Sequence, residues 1–168
     1  MKIKPLTGGE IDFILRNISF IREIWGGIYA RDTEHFIPKK LPVITVLNTD
    51  YFYSEGIHWI VLYKKKDCNV FFDSLGFSPS EYNFTHLIND KKVLVTSSKR
   101  FQPLHSPTCG YFAIYIIYHL ALGFNLNRIL NTFDTPEYNS NLVYNFVMKL
   151  WMKIRLNKMI SYPTRIMN

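Results

Sequence analysis

Four side chains of this chain are of types that can together hydrolyse an acyl bond: His58, Asp73, Gln102 and Cys109. Cys109 stands between a polar, Pro-containing loop and the apolar run Tyr111–Leu122, so it is predicted at a helix start. There the unpaired backbone N–H groups place partial positive charge beside the sulfur and favour the nucleophilic thiolate. Gly110 lets the backbone approach closely, and the Cys109 N–H is a free donor for an oxyanion. A lone Cys at a helix start is more often a small buried core residue. Its company decides the matter.

Five histidines compete for the role of base: His35, His58, His86, His105 and His119. His35 and His86 fall in polar stretches with surface roles, and His119 lies inside the apolar helix. His105 is the serious rival, being close to Cys109, but it sits in a Pro-flanked loop with no orienting partner. His58 opens an apolar strand beside Trp59, where packing can fix the ring.

Asp73 is the orienting acid. With Lys64–Asp67 as a turn, the strands holding His58 and Asp73 are neighbours. The expected register pairs His58 with Asp73, Val61 with Val70 and Tyr63 with Cys68, and puts the first pair on one face. A carboxylate there would hold the imidazole tautomer and stabilise the imidazolium. On its own, Asp73 before Ser74-Leu75-Gly76 reads as a strand-ending turn former. Gln102 lies seven residues before Cys109, and its amide N–H can join the Cys109 N–H at an oxyanion. Taken singly, a loop Gln says little.

The elements that must position these residues follow from patterning. Thr7-Gly8-Gly9-Glu10 is a capping box, and Ile11, Ile14, Leu15 and Ile18 follow at helical spacing, predicting a helix over 8–18. Trp25–Tyr29 reads as a turn or short strand. Strands are predicted at Leu41–Asn48, His58–Tyr63, Cys68–Asp73 and Lys92–Thr96. Tyr111–Leu122 is apolar nearly all round and predicts a buried central helix ended by Gly123. A terminal helix over about 139–157 carries Leu142, Phe146, Val147, Leu150 and Trp151 on one stripe. The order implies an α+β fold with an antiparallel or mixed central sheet.

The 168 residues, 48% apolar and 16% aromatic, fit one domain over 1–168 with its own core and exclude a disordered chain. No internal repeat or linker divides it. The longest apolar run is too short to span a bilayer, and the start carries no cleavable signal pattern, so an intracellular protein without a membrane partner is expected. Two cysteines, Cys68 and Cys109, exclude a disulfide framework and a cysteine-rich zinc site. The net charge of +7 permits binding to a polyanion such as DNA, and equally fits a solubilising surface.

Together these motifs resemble the adenovirus maturation protease, adenain, and more distantly the small-ubiquitin-like-modifier proteases of related fold. The resemblance is carried by Gly56-Ile57-His58-Trp59, by Phe71-Phe72-Asp73-Ser74-Leu75-Gly76-Phe77, and by Gln102 with Cys109-Gly110-Tyr111-Phe112. Val46–Thr49 and Thr135–Asn141 add to it, so that it runs from about Ile24 to Val147. The Gln-to-Cys interval agrees with adenain. The acid Asp73, where adenain has Glu, and Phe-Asp-Ser-Leu-Gly are closer to the modifier proteases.

The resemblance implies an adenain-like cysteine protease fold with a buried helix starting at the nucleophile. It also implies an endopeptidase in which Cys109 attacks, His58 is the base, Asp73 orients it, and Gln102 with the Cys109 N–H binds the oxyanion. The implied substrates are viral capsid or core precursors cut after a small Gly-containing sequence, with Trp59 either a wall of the narrow cleft or simply core. No cofactor is required for the chemistry, although DNA or a viral peptide is an implied activator. Cys68 does not match the adenain cysteine that holds such a peptide by a disulfide. A monomer in the host nucleus or virion is expected. Two other readings stay open: a ubiquitin-like-protein isopeptidase, and an inactive basic nucleic-acid-binding relative.

Overall fold

The computed structural model describes residues 3–54, 58–89 and 91–161. Gly56 and Ile57 of the histidine motif lie outside the described residues. The capping box opens helix α1 (Gly8–Arg16): Thr7 Oγ1 accepts from the Glu10 N–H at 3.2 Å and Glu10 answers the Thr7 N–H at 2.9 Å. Ile11, Ile14 and Leu15 are its buried face. A one-turn helix, α2 (Ser19–Arg22), follows and was not visible in the periodicity.

Five strands form one mixed sheet in the order β1 (Trp25–Tyr29), β2 (Val43–Asn48), β3 (Trp59–Lys64), β4 (Cys68–Phe72) and β5 (Val93–Val95). The three central strands are antiparallel, and β1 and β5 pair in parallel at the two edges. Every residue of β2 is buried, as its β-branched run requires when both faces of the sheet are covered. One face, with Ile44, Val46, Val61, Tyr63, Val70 and Phe72, packs on the helices. The other, with Leu47, Ile60, Leu62 and Phe71, lies under Ile37, Phe84 and Leu87 from the connecting segments.

The register of β3 on β4 corrects the expected one. Val61 faces Phe72 and Tyr63 faces Val70, two residues away from the pairing that opposed His58 to Asp73 directly. The cause is a tighter turn: β3 runs on to Lys64, and the Lys65 N–H donates to the Cys68 carbonyl at 2.9 Å, leaving Lys66 and Asp67 at the tip. Because side chains alternate with period two, a two-residue shift leaves every side chain on its expected face. His58 and Asp73 consequently fall just outside the strands, at the start of β3 and the end of β4.

Helix α3 (Cys109–Ala121) begins at the cysteine itself, and all of its residues from Cys109 to Ile117 are buried. A short helix, α4 (Leu126–Leu130), joins it to α5 (Pro136–Ser161), which begins earlier and ends later than expected. Val143, Val147 and Ile154 are its buried line, flanked by the partly buried Leu142, Phe146, Leu150 and Trp151. Among the described residues, no helix is long and apolar enough to cross a membrane.

Candidate active site

Three chain segments meet at one end of the sheet: the entry to β3, the exit from β4 and the start of α3. His58 Nε2 lies 2.5 Å from Asp73 Oδ1, with both side chains buried. The Cys109 thiol is near enough to the imidazole to bear on its ionisation. Since Nε2 is taken by Asp73, Nδ1 is the nitrogen left for the thiol. Cys109 is 8% exposed, and that remaining surface opens on a cleft of about 550 Å³.

Asp73 is held from several directions. Oδ1 accepts from His58 and from the Leu75 N–H at 2.8 Å, and Oδ2 accepts from the Phe77 N–H at 3.0 Å and the Tyr82 hydroxyl at 2.8 Å. Burial by itself pushes this carboxyl up, but the hydrogen bond and charge of His58, the Leu75 N–H and the Tyr82 hydroxyl outweigh it and hold the group below its ordinary value. Burial likewise works against a charged imidazole. The hydrogen bonds to Asp73 and Cys109, with the charges on both, prevail and push His58 up to about 9. The pair is therefore ionised at neutral pH, with the proton on the ring.

The turn after β4 makes this possible. The Gly76 N–H closes on the Asp73 carbonyl at 3.1 Å, and Gly76 takes φ +86°. A Cβ there would lie 2.8 Å from the Ser98 carbonyl oxygen, so the position needs glycine twice over. Ser74, inside the same turn, accepts the N–H groups of Phe101 at 2.8 Å and Gln102 at 3.2 Å on its carbonyl oxygen. Gln102 is thereby held against the turn that follows Asp73, and its side chain is buried, with Oε1 accepting from the Ser74 hydroxyl at 2.9 Å.

The segment from Gln102 to Cys109 is tied down at both ends by α5. Asn139 Nδ2 donates to the Phe101 carbonyl at 3.1 Å, and Thr108 Oγ1 lies 3.1 Å from the Ser140 hydroxyl and 2.7 Å from that of Ser106. His105 sits on this segment in the left-handed region, φ +62°, and points into solvent. Proximity in sequence did not bring it to the thiol. Of the other histidines, His86 bonds Glu34 at the surface, and His119 Nδ1 bonds the Tyr115 carbonyl within α3.

The cleft beside Cys109 is walled by Pro5–Gly8, by Ile28–Ala30, by Asn48 and the aromatic loop Tyr51–Phe52, and by Trp59. Trp59 does both things expected of it: its Nε1–H donates to the Leu6 carbonyl at 3.0 Å, it packs on the main core, and it lines the cleft. Cys68 is half-buried on β4, away from these groups. Among the described residues, no group of three or more His, Cys, Asp or Glu side chains could hold a metal ion.

Sequence reasoning missed three contributors. Tyr82 follows Ser78-Pro79-Ser80-Glu81, a capping box with Pro at its start that marks a short helical turn, and that signal was available. The N-terminal wall Pro5–Gly8 and the Asn139–Ser140 clamp carry no local signature. Both depend on tertiary packing.

No family model matches this chain, and no curated protein does. Among solved structures it is similar to the crystal structure of ASFV pS273R protease, with a TM-score of 0.56 at 15% identity over 83% of this chain and 66% of that one. The selenomethionine form of the same protease aligns with a TM-score of 0.52 at 17% identity over the same shares. The chain thus shares its α+β fold with a protease, and the match spans just under two thirds of that protease's length.

Proposed function

We propose that this chain is a cysteine endopeptidase acting through His58, Asp73, Gln102 and Cys109. One observation carries the reading: His58 is bonded to a buried carboxylate and lies near enough to feel the Cys109 thiol, which opens a buried helix and faces a cleft. The imidazole takes the thiol proton as the sulfur attacks, and its raised pKa of about 9 favours holding a proton on the ring. Cys109 Sγ attacks the scissile carbonyl carbon. Negative charge builds on the carbonyl oxygen, which the Cys109 N–H and the Gln102 amide N–H stabilise. As the intermediate collapses, His58 gives its proton to the departing amine, leaving a thioester. Water, deprotonated by His58, then releases the acid and restores the thiol.

The finer reading is an enzyme of the adenain type that matures viral capsid or core precursors. Its support is the Gln102-to-Cys109 interval, the cleft lined by Trp59 and the fold shared with a viral protease. The net charge of +7 supports DNA as a partner or activator, in the host nucleus or the virion. The Phe71–Gly76 turn favours a second reading, removal of a ubiquitin-like modifier.

Incubating the protein with Gly-containing capsid-type peptides and, in parallel, with modifier conjugates separates the two. Cleavage of the peptides, lost in Cys109→Ala, is the expected result. Cleavage of modifier conjugates alone would replace maturation by deconjugation, and hydrolysis that survives Cys109→Ala would overturn the mechanism.

A further inference from the structure

The residue that follows the acid has no part in the scheme above, yet it is placed as carefully. Ser74 is 1% exposed and Gln102 3%. The Ser74 hydroxyl donates to Gln102 Oε1 at 2.9 Å, and its carbonyl oxygen holds the backbone N–H groups of Phe101 and Gln102. The other end of the Gln102 amide, Nε2, faces the Ser106 carbonyl oxygen at 3.5 Å. A carbonyl can only accept, so it admits the NH₂ end of the amide and not the oxygen end. The carbonyl therefore selects one orientation, in which Oε1 meets the Ser74 hydroxyl and the second Nε2–H is used by neither partner.

We propose that Ser74 is a positioning residue for the oxyanion site: its hydroxyl locks the Gln102 side-chain amide with the N–H end toward the developing negative charge. The inference rests on the protease reading, in which Gln102 is an oxyanion donor. A free glutamine amide samples several rotamers and both flips, and one flip presents oxygen to an oxyanion. A donor aligned before the reaction needs no reorganisation when charge develops. The dipeptide Asp73-Ser74 thus serves both halves of the machinery, the carboxylate through His58 and the hydroxyl through Gln102.

The test is a double-mutant cycle with Ser74→Ala, Gln102→Ala and the double variant. The probe is a fluorogenic peptide ending in Gly-Gly before an aminomethylcoumarin group, with Cys109 alkylation by iodoacetamide measured across pH on the same samples. Ser74→Ala is expected to lower kcat roughly tenfold to a hundredfold, less than the loss of a whole oxyanion donor, with KM nearly unchanged. In the Gln102→Ala background the same change should cost nothing further. The pH profile of Cys109 alkylation should match the wild type, because making the thiolate does not use Gln102.

An equal further loss in the Gln102→Ala background would overturn the proposal, as would an unchanged kcat. A shifted alkylation profile would do so too, placing the effect on neighbouring Asp73. Should Ser74→Ala fail to fold, Ser74→Cys keeps the volume with a weaker donor and is expected to lose part of kcat with the same coupling. Full wild-type kcat in that variant would overturn the proposal. A wild type that alkylates at Cys109 but never hydrolyses the peptide would defeat the protease reading first, and the role of Ser74 with it.

Discussion

His58 Nε2 and Asp73 Oδ1 are 2.5 Å apart although the ladder that joins their strands does not oppose them. Continued to the sheet end, the register that sets Val61 against Phe72 would place Asp73 across from Ile60, so histidine and acid are diagonal neighbours on one face. Diagonal pairs are within reach of long side chains. The turn at Gly76 then fixes the carboxylate with two backbone N–H donors, so its aim owes little to the ladder.

That pairing makes stability depend on pH in a defined sense. His58 has its pKa raised from 6.5 to about 9, so its contribution is fully present below about 6.5 and is lost as pH rises through about 9. Asp73, held below 3.8, contributes above that value and loses it as pH falls through the depressed one. Asp73→Asn is expected to cost on the order of 3 kcal/mol at pH 7. Urea midpoints should show the gap to wild type narrowing at pH 10. A gap of constant size from pH 7 to 10 would mean that the pair is not ionised.

Tyr82 donates to Asp73 Oδ2, and burial followed by the nearby Asp73 charge raises its pKa, so it remains a hydroxyl donor. Tyr82→Phe removes one charge-assisted hydrogen bond while Phe77 still serves the same oxygen. A loss of about 1–2 kcal/mol in chemical unfolding is expected, with hydrolysis reduced severalfold rather than abolished. Unchanged stability would show that water replaces the hydroxyl without loss.

Gly76→Ala should be worse than its small volume suggests. The new methyl meets backbone at Ser98 and Lys99, at 2.8 and 2.9 Å, in a conformation with φ +86°. About 2–3 kcal/mol of destabilisation is expected from strain and overlap together. Because Lys99 leads directly into Phe101 and Gln102, kcat should fall as well. A thermal midpoint within about 2 °C of wild type, no more than the shift expected for about 1 kcal/mol in a domain of this size, would contradict this.

His105 provides the opposite case. It is exposed, with φ +62°, and His105→Gly relieves the left-handed strain while adding freedom to the unfolded chain. Stability should stay within about 1 kcal/mol of wild type, and peptide hydrolysis should be unchanged. Loss of hydrolysis beyond tenfold would reinstate His105 as the base and displace His58.

Much of this fold could be read from residue order alone. The capping box at Thr7, the β-branched run that became β2 and the all-round apolar α3 each state a local requirement that packing then met. That Cys109, His58 and Asp73 would come together was legible because each borders an apolar element that must be buried. The register was not, since a turn with tip Lys66-Asp67 and the longer expected one leave the same pattern on both strands. Ser74 and Asn139 escaped notice because their roles are bonds across 28 and 38 residues of sequence. Nothing in the local run of residues records such a distance.

The central claim is that Cys109 is a nucleophile made reactive by His58, and competitive alkylation tests it most directly. Exposure alone predicts the wrong order: Cys68 is half-buried whereas Cys109 is buried. With limiting iodoacetamide at pH 7 and peptide mapping, Cys109 is expected to label at least roughly tenfold faster than Cys68, as a thiolate paired with an imidazolium should. The preference should vanish in His58→Ala. Labelling that follows exposure, with Cys68 equal or faster in the wild type, would contradict the account.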